Sequence, residues 1–341
     1  KGEGFRVSAR GDLRDRIDYE ADISKIGVLL PEGGGRLQGK GWFRYRRDRL
    51  SGGLTASGKG ITWKQTGMDV LAVTLAMGDG PEGELHGRIA AQQLRIGGRL
   101  CPQAELHIAG TKKRHEVILQ ITAPEDNWRL AAAGGWTPGI WTGAIRDLAV
   151  ENRQYGTLRL TRPASLVASR HHLDLAPVQL AGPRGERLEL SARWGDARQQ
   201  DYLQATWQAL PLGRLPRFAA DLSMSGRTAG ELRLERTGRG GSRVAGTARL
   251  QGEISRGSWL LPVRDADCRL NWRERGLEFS GDLDLGAAGR AAIRLTSPNA
   301  PELSLPGAGA FTAKLTDMDL KTLKPILPER IHPAGLLSGN V

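Results

Sequence analysis

The chain has 341 residues, 46 of them glycine, with 39% hydrophobic residues, only 5% aromatics and a net charge of +12. That is apolar material for an ordered protein of about two compact domains, with too little aromatic bulk to fill a thick sandwich core. No run approaches the roughly 18 apolar residues of a membrane-spanning helix, and the two cysteines, Cys101 and Cys268, exclude a disulfide scaffold and are expected as unpaired, half-buried thiols.

In chain order, segment after segment alternates apolar and polar residues with the period of a strand. Leu71, Val73 and Leu75 form the first clear set, followed by Leu106 and Ile108, then Val117, Leu119 and Ile121. Leu158 and Leu160 come next, then Leu188 and Leu190, leading into Ala192 and Trp194. Leu232 and Leu234, Leu283 and Leu285, and Ile293 and Leu295 complete the series. Turn-forming stretches separate them at 78–83, 123–126, 182–186, 235–242 and 297–302. The spacing is that of a meandering antiparallel sheet.

A second, longer period overlies the first. A short apolar stretch ending in Leu-Pro occurs at Leu30-Pro31, Leu215-Pro216 and Leu327-Pro328. Near these points the strand period gives way to three-to-four spacing, at Leu210–Arg217 and Asp317–Leu327 and more weakly at Ile23–Leu30. Short amphipathic helices are expected there, with Asp317 as a cap. The organisation read from this is a β segment over 1–209, a junction helix over 210–217, a second β segment over 218–316, and a junction helix opening a further repeat over 317–341. Lys1 and Val341 sit inside the running pattern, so the chain is expected to be an interior piece of a longer protein.

Each strand has one apolar face, which must be covered by a second sheet, by closure into a barrel, or by an apolar ligand. The sparse aromatics and many strands favour curling around a groove. The expected fold is therefore all-β: an elongated, curled antiparallel sheet with an apolar interior and a few short helices at repeat junctions. The 18 residues from Leu71 to Leu295 named above as strand sets, Ala192 and Trp194 aside, are the candidate lining of that groove.

Signals of chemistry are weak. Gly34–Lys40 and Gly53–Lys59 fit the spacing of a phosphate-binding loop, but each is followed by Gly where Ser or Thr must hold magnesium, and by strand sequence where a helix must start. Gly78, Gly80 and Gly83 spell a dinucleotide-type pattern that reads better as a hairpin turn. Of the six histidines, only His171 and His172 are adjacent, and on a strand they would point to opposite faces. No metal-ligand spacing, nucleophile elbow or paired carboxylates occur. No catalytic residue, metal or cofactor is expected.

The basic charge is spread along strands, as in TARLQGEISRG, which is the pattern of a solvated outer face. Nucleic acid would require clustered cations and a recognisable module, and is not expected as a partner. Trp128, Trp136, Trp141, Trp194 and Trp272 have two readings: packing residues, or amphipathic rims of a groove mouth.

A resemblance adds to this reading. Trp141, Gly143, Leu148, Gly156, Leu158, Leu160, Pro163 and Ala164, then Leu188, Trp194, Leu210, Pro211, Leu212 and Leu215, resemble the central region of the TamB family, the translocation and assembly module subunits of the AsmA-like, bridge-like lipid-transfer group. The later A-K-L-T-D-M-D-L passage, with I-L-P and L-S-G beyond it, resembles the same family where repeats meet. The resemblance implies a periplasmic β-taco groove in a parent anchored in the inner membrane of a Gram-negative-type bacterium and meeting an Omp85-type, TamA-like barrel in the outer membrane. It also implies phospholipid as cargo and a role in outer-membrane protein assembly. The alternative is a β-augmentation scaffold for outer-membrane barrel or autotransporter strands, without lipid transport.

Overall fold

The computed structural model describes residues 4–12, 15–28, 30–46, 49–64, 66–96, 99–195, 200–214, 223–236, 241–256, 259–298, 309–319, 321 and 335–340. They divide into two compact units, Lys1–Arg170 and His171–Val341. Both are all-β and antiparallel, the class that the two-residue period predicts.

In the first unit lie β1 (Phe5–Asp12), β2 (Arg16–Ile23), β3 (Gly33–Arg46), β4 (Arg49–Trp63), β5 (Thr66–Met77) and β6 (Glu84–Ile96). After them come β7 (Arg99–Thr111), β8 (His115–Thr122), β9 (Asp126–Thr137), β10 (Ile140–Asn152), β11 (Gly156–Leu160) and β12 (Ala164–Ser169). From β1 to β10, each strand pairs with the next. β11 and β12 then share one edge of β10, the first along its C-terminal part and the second along its N-terminal part. Pro163, with no N–H to donate, lies at the break between them.

The first unit's sheet curls at one rim. Lys112, in the β7–β8 turn, donates from Nζ to the carbonyl of Leu50 in β4 over 2.9 Å. On a flat sheet those strands are three spacings apart, about 14 Å, more than twice a lysine side chain's reach. The turns on this rim are also tied together: Lys113 N–H donates to Pro81, and Trp136 N–H to Lys112.

The second unit runs through β13 (Leu173–Ala181), β14 (Arg187–Trp194), β15 (Asp201–Pro211), β16 (Ser223–Arg236) and β17 (Ser242–Arg256). It continues with β18 (Trp259–Arg273), β19 (Gly276–Asp284), β20 (Arg290–Ser297), β21 (Ala310–Asp319) and β22 (Leu336–Asn340). Every strand again pairs with the next. One buried core of this unit is a corner where the 3-10 turn Gly286–Ala288 folds over the sheet, burying Leu285 and Ala288 against Val263, Ala266 and Met318.

Two of the expected junction helices are corrected. Ile26–Val28 and Leu212–Arg214 are single 3-10 turns, and Leu210 and Pro211 still belong to β15. Asp317 caps nothing: it lies in β21 in the left-handed backbone region, at φ 50°. The ladder slips between Trp207 and Leu210, around Ala209 at φ 53°, and between Leu315 and Met318, around Asp317. A bulge inserts one residue, so Trp207 and Leu210, and Leu315 and Met318, share a face although they are three apart. Leu215-Pro216, Leu327-Pro328 and most of 320–327 lie outside the described residues, while Leu30-Pro31 sits in the turn before β3.

Candidate functional site

Directly opposed residues in an antiparallel pair share a face, so the register shows which side chains belong together. In the first unit Leu71, Val73 and Leu75 oppose Ala91, Ile89 and Gly87 of β6. Ile89 and Gly87 in turn oppose Leu106 and Ile108, which oppose Leu119 and Val117. Leu119 and Ile121 oppose Leu130 and Trp128, and these oppose Leu148 and Val150, the latter opposite Leu158. Leu160 follows two residues on and shares that face. Toward the other edge the face continues through Leu54 and Ala56, Gly41 and Gly39, and Tyr19 and Ala21 to Ala9 and Val7. All ten candidate lining residues of this unit thus fall on one continuous apolar face.

In the second unit, Leu188 and Leu190 oppose Trp207 and Ala205, and Ala205 opposes Leu232. Leu232 and Leu234 oppose Gly246 and Val244. Leu283 opposes Ala266 on one side and Ala291 on the other, while Ile293 and Leu295 oppose Gly281 and Phe279. Leu285 is different: it lies beyond the end of β19 and is 3% exposed, sealed in the corner cluster.

Apart from Leu285 and the buried Leu158, the candidates are half-buried. Neighbours on the sheet flank them without sealing them. A second sheet or a closed barrel would remove them from water, whereas a curled sheet leaves such side chains reachable from its inner side.

The tryptophans divide between the two readings. Trp141 is 8% exposed, and its ring lies over the opposed pair Gly143 and Gly134, where an added Cβ would come within 2.5 and 2.6 Å of the ring. Its indole N–H donates to Nε2 of His115 over 2.8 Å. Indole nitrogen is a donor only, so Nε2 is the unprotonated nitrogen, and Nδ1–H donates to the carbonyl of Thr111 at 3.0 Å. In the second unit Trp207 repeats the device: it lies over Gly230 and donates to the buried Thr228 hydroxyl at 3.2 Å. Trp128 and Trp136, on the same face near the two ends of β9, stay 46% and 51% exposed. His115 carries no sequence signal for this role, because its partner is 26 residues away and two strands across.

The opposite face is charged. Arg88 bonds Glu105 at 2.5 Å, and Arg249 holds both oxygens of Asp265 through Nε and Nη2. Arg88, with His107 adding to it, holds the Glu105 carboxyl below its ordinary range, and Arg249 does the same to Asp265. Cys101 and Cys268 are free, half-buried thiols, and burial, with Asp267 and Asp282 nearby, pushes the Cys268 thiol up. Gly34–Lys40 and Gly53–Lys59 lie inside strands, and Gly78–Gly83 is the β5–β6 turn. His171 and His172 lie just before β13 rather than on a strand. No group of three or more metal-ligating side chains occurs among the described residues, nor a helix long and apolar enough to cross a membrane.

Register and burial together define an amphipathic antiparallel β-sheet protein whose distinguishing surface is a broad apolar face rather than a pocket. The family model described as TamB, N-terminal domain, matches residues 4–175, just over half of the chain, and the chain belongs to the TamB family. The match overlaps the motif-bearing stretch from Trp141 to Leu175 and extends N-terminally from it. No curated protein and no solved structure matches the chain.

Proposed function

We propose that this chain is a section of a periplasmic hydrophobic groove that conducts phospholipids between the inner and outer membranes and supports outer-membrane protein assembly. The observation that carries the reading is the continuous apolar face of the first unit, half-buried and unsealed across successive strands. Moving an acyl chain through water exposes its methylenes at about 0.8 kcal/mol each, and an apolar trough removes that cost along the path. Aliphatic walls with few fixed polar groups suit transport, since a tight site would hold its cargo. The groove performs no catalytic step and needs no metal or cofactor. In the longer parent, an inner-membrane anchor and an Omp85-type, TamA-like barrel are the proposed partners.

A second reading has its own observation. β1 pairs with β2 on one side, and its other edge has no partner strand among the described residues. That edge suits β-augmentation by an extended outer-membrane protein segment without lipid transport.

Lipid mass spectrometry on the purified protein separates them. Co-purifying phospholipid is expected, falling in Leu119→Asp on the apolar face and retained in Gln120→Asp on the charged face. A folded, lipid-free protein overturns the conduit and leaves the augmentation scaffold, tested next by binding of barrel-strand peptides.

A further inference from the structure

The two glycine-rich runs that fail as nucleotide loops meet at one rim of the first unit. Arg36 in β3 stands directly opposite Lys59 in β4. Like charges in that relation repel and destabilise the pair. The ladder slips between Gly34 and Arg36, where Gly35 and Gly60 both take positive φ, at 93° and 58°. A Cβ on Gly35 would come within 2.4 Å of the Gly60 carbonyl. Only glycine permits so close an approach, so the backbone that brings the two cations together is itself specified by sequence.

A third cation joins them. Lys25 lies just before the 3-10 turn and lines the same open cavity as Arg36 and Lys59, about 900 Å3 in volume and walled by Ile26 and Val28. All three cations are exposed, and among the described residues none has an acidic partner. Elsewhere on the charged face of the first unit, Arg88 and Arg129 each hold a carboxylate.

We propose that Lys25, Arg36 and Lys59 form a binding site for a phosphate group. A tetrahedral dianion or diester anion between the three cations would convert a repulsive pair into charge-assisted hydrogen bonds. Two sources share this chemistry: the headgroup of a phospholipid at the rim, and free phosphate in solution.

The test uses two arms on the same protein: calorimetric titration with inorganic phosphate, and co-flotation with phosphatidylglycerol vesicles. Lys59→Gln and Lys25→Gln are compared with Arg153→Gln, which removes one exposed charge elsewhere. The expected result is binding in at least one arm that each site variant weakens by about tenfold and Arg153→Gln by less than about twofold. Binding confined to vesicles assigns the headgroup, and binding of inorganic phosphate assigns free anion. Equal loss in all three variants, or no binding in either arm, overturns the site. Arg36→Gln gives an independent reading: in phosphate-free buffer it is expected to raise the melting temperature by relieving the repulsion, and a fall would contradict the repulsive pairing on which the site rests. Because the readout is phosphate, a lipid-free apolar face would leave the result standing.

Discussion

Trp141 of β10 reaches across β9 to donate its indole N–H to His115 of β8, 2.8 Å away, over a floor of two opposed glycines. The pair ties three strands together on the apolar face and, among the described residues of the first unit, is the one place on that face where a large polar group is sealed from water, with His115 at 4% exposure.

Removing either partner leaves a buried polar atom unsatisfied. Trp141→Phe is expected to destabilise the first unit by about 1–3 kcal/mol, and His115→Ala by at least as much, since it strands the indole N–H. A double-mutant cycle followed by urea denaturation should return a coupling of about 1–2 kcal/mol, and an additive result would refute the interaction.

Leu285 and Leu295 are both leucines on the second unit's apolar face, but only Leu285 is sealed. Leu285→Ala should therefore cost about 2–4 kcal/mol by cavity formation, and Leu295→Ala about 1–1.5 kcal/mol by lost burial alone. Equal costs in equilibrium unfolding would show that the sheet face is covered as fully as the corner.

Ala209 occupies the left-handed region at φ 53°, which costs a non-glycine residue about 1–2 kcal/mol. Glycine relieves this but adds about 0.4–1 kcal/mol of unfolded-state entropy. Ala209→Gly is thus expected to stabilise by about 0.5–1 kcal/mol, and Ala209→Val to destabilise. Chemical denaturation distinguishes the signs.

The depressed carboxyl of Glu105 predicts an acid limb. Its contribution is fully present above the ordinary glutamate value of 4.5 and is lost as pH falls through the lower folded-state value. The gap in melting temperature between the native protein and Arg88→Gln should be constant near neutral pH and close in acid. A gap that persists below the carboxylate range would mean Arg88 stabilises by packing instead.

The strand period made most of the apolar face legible, because chain-neighbour pairing carries an alternating pattern from hairpin to hairpin without changing sides. Leu71, Leu106, Leu119 and Leu158 share a face for that reason. What it did not show was where the ladder slips: at Ala209, between Trp207 and Leu210, and at Asp317, between Leu315 and Met318, the extra residue sits in a left-handed kink, and the helix expected from Leu210 begins with two residues that still belong to β15. Neither Ala209 nor Asp317 announces such a kink, since glycine is the usual marker. The His115–Trp141 contact was illegible for a different reason: it depends on Gly134 and Gly143 lying opposite one another, a register set by the whole hairpin. The unpaired cations at Arg36 and Lys59 were likewise hidden until the bulge in β4 opposite Gly35 brought them face to face.

The sequential pairing of strands within each unit also bears on how such a chain changes in evolution. Because each strand's orientation is inherited from the one before, adding or removing a single strand would reverse everything downstream, while adding or removing a hairpin would not. Length can therefore vary in steps of two strands, about 10 Å across the sheet, with no change in which side is greasy. A sheet organised in this way can be lengthened or shortened by duplication or loss of hairpins, without redesign of any contact outside the seam.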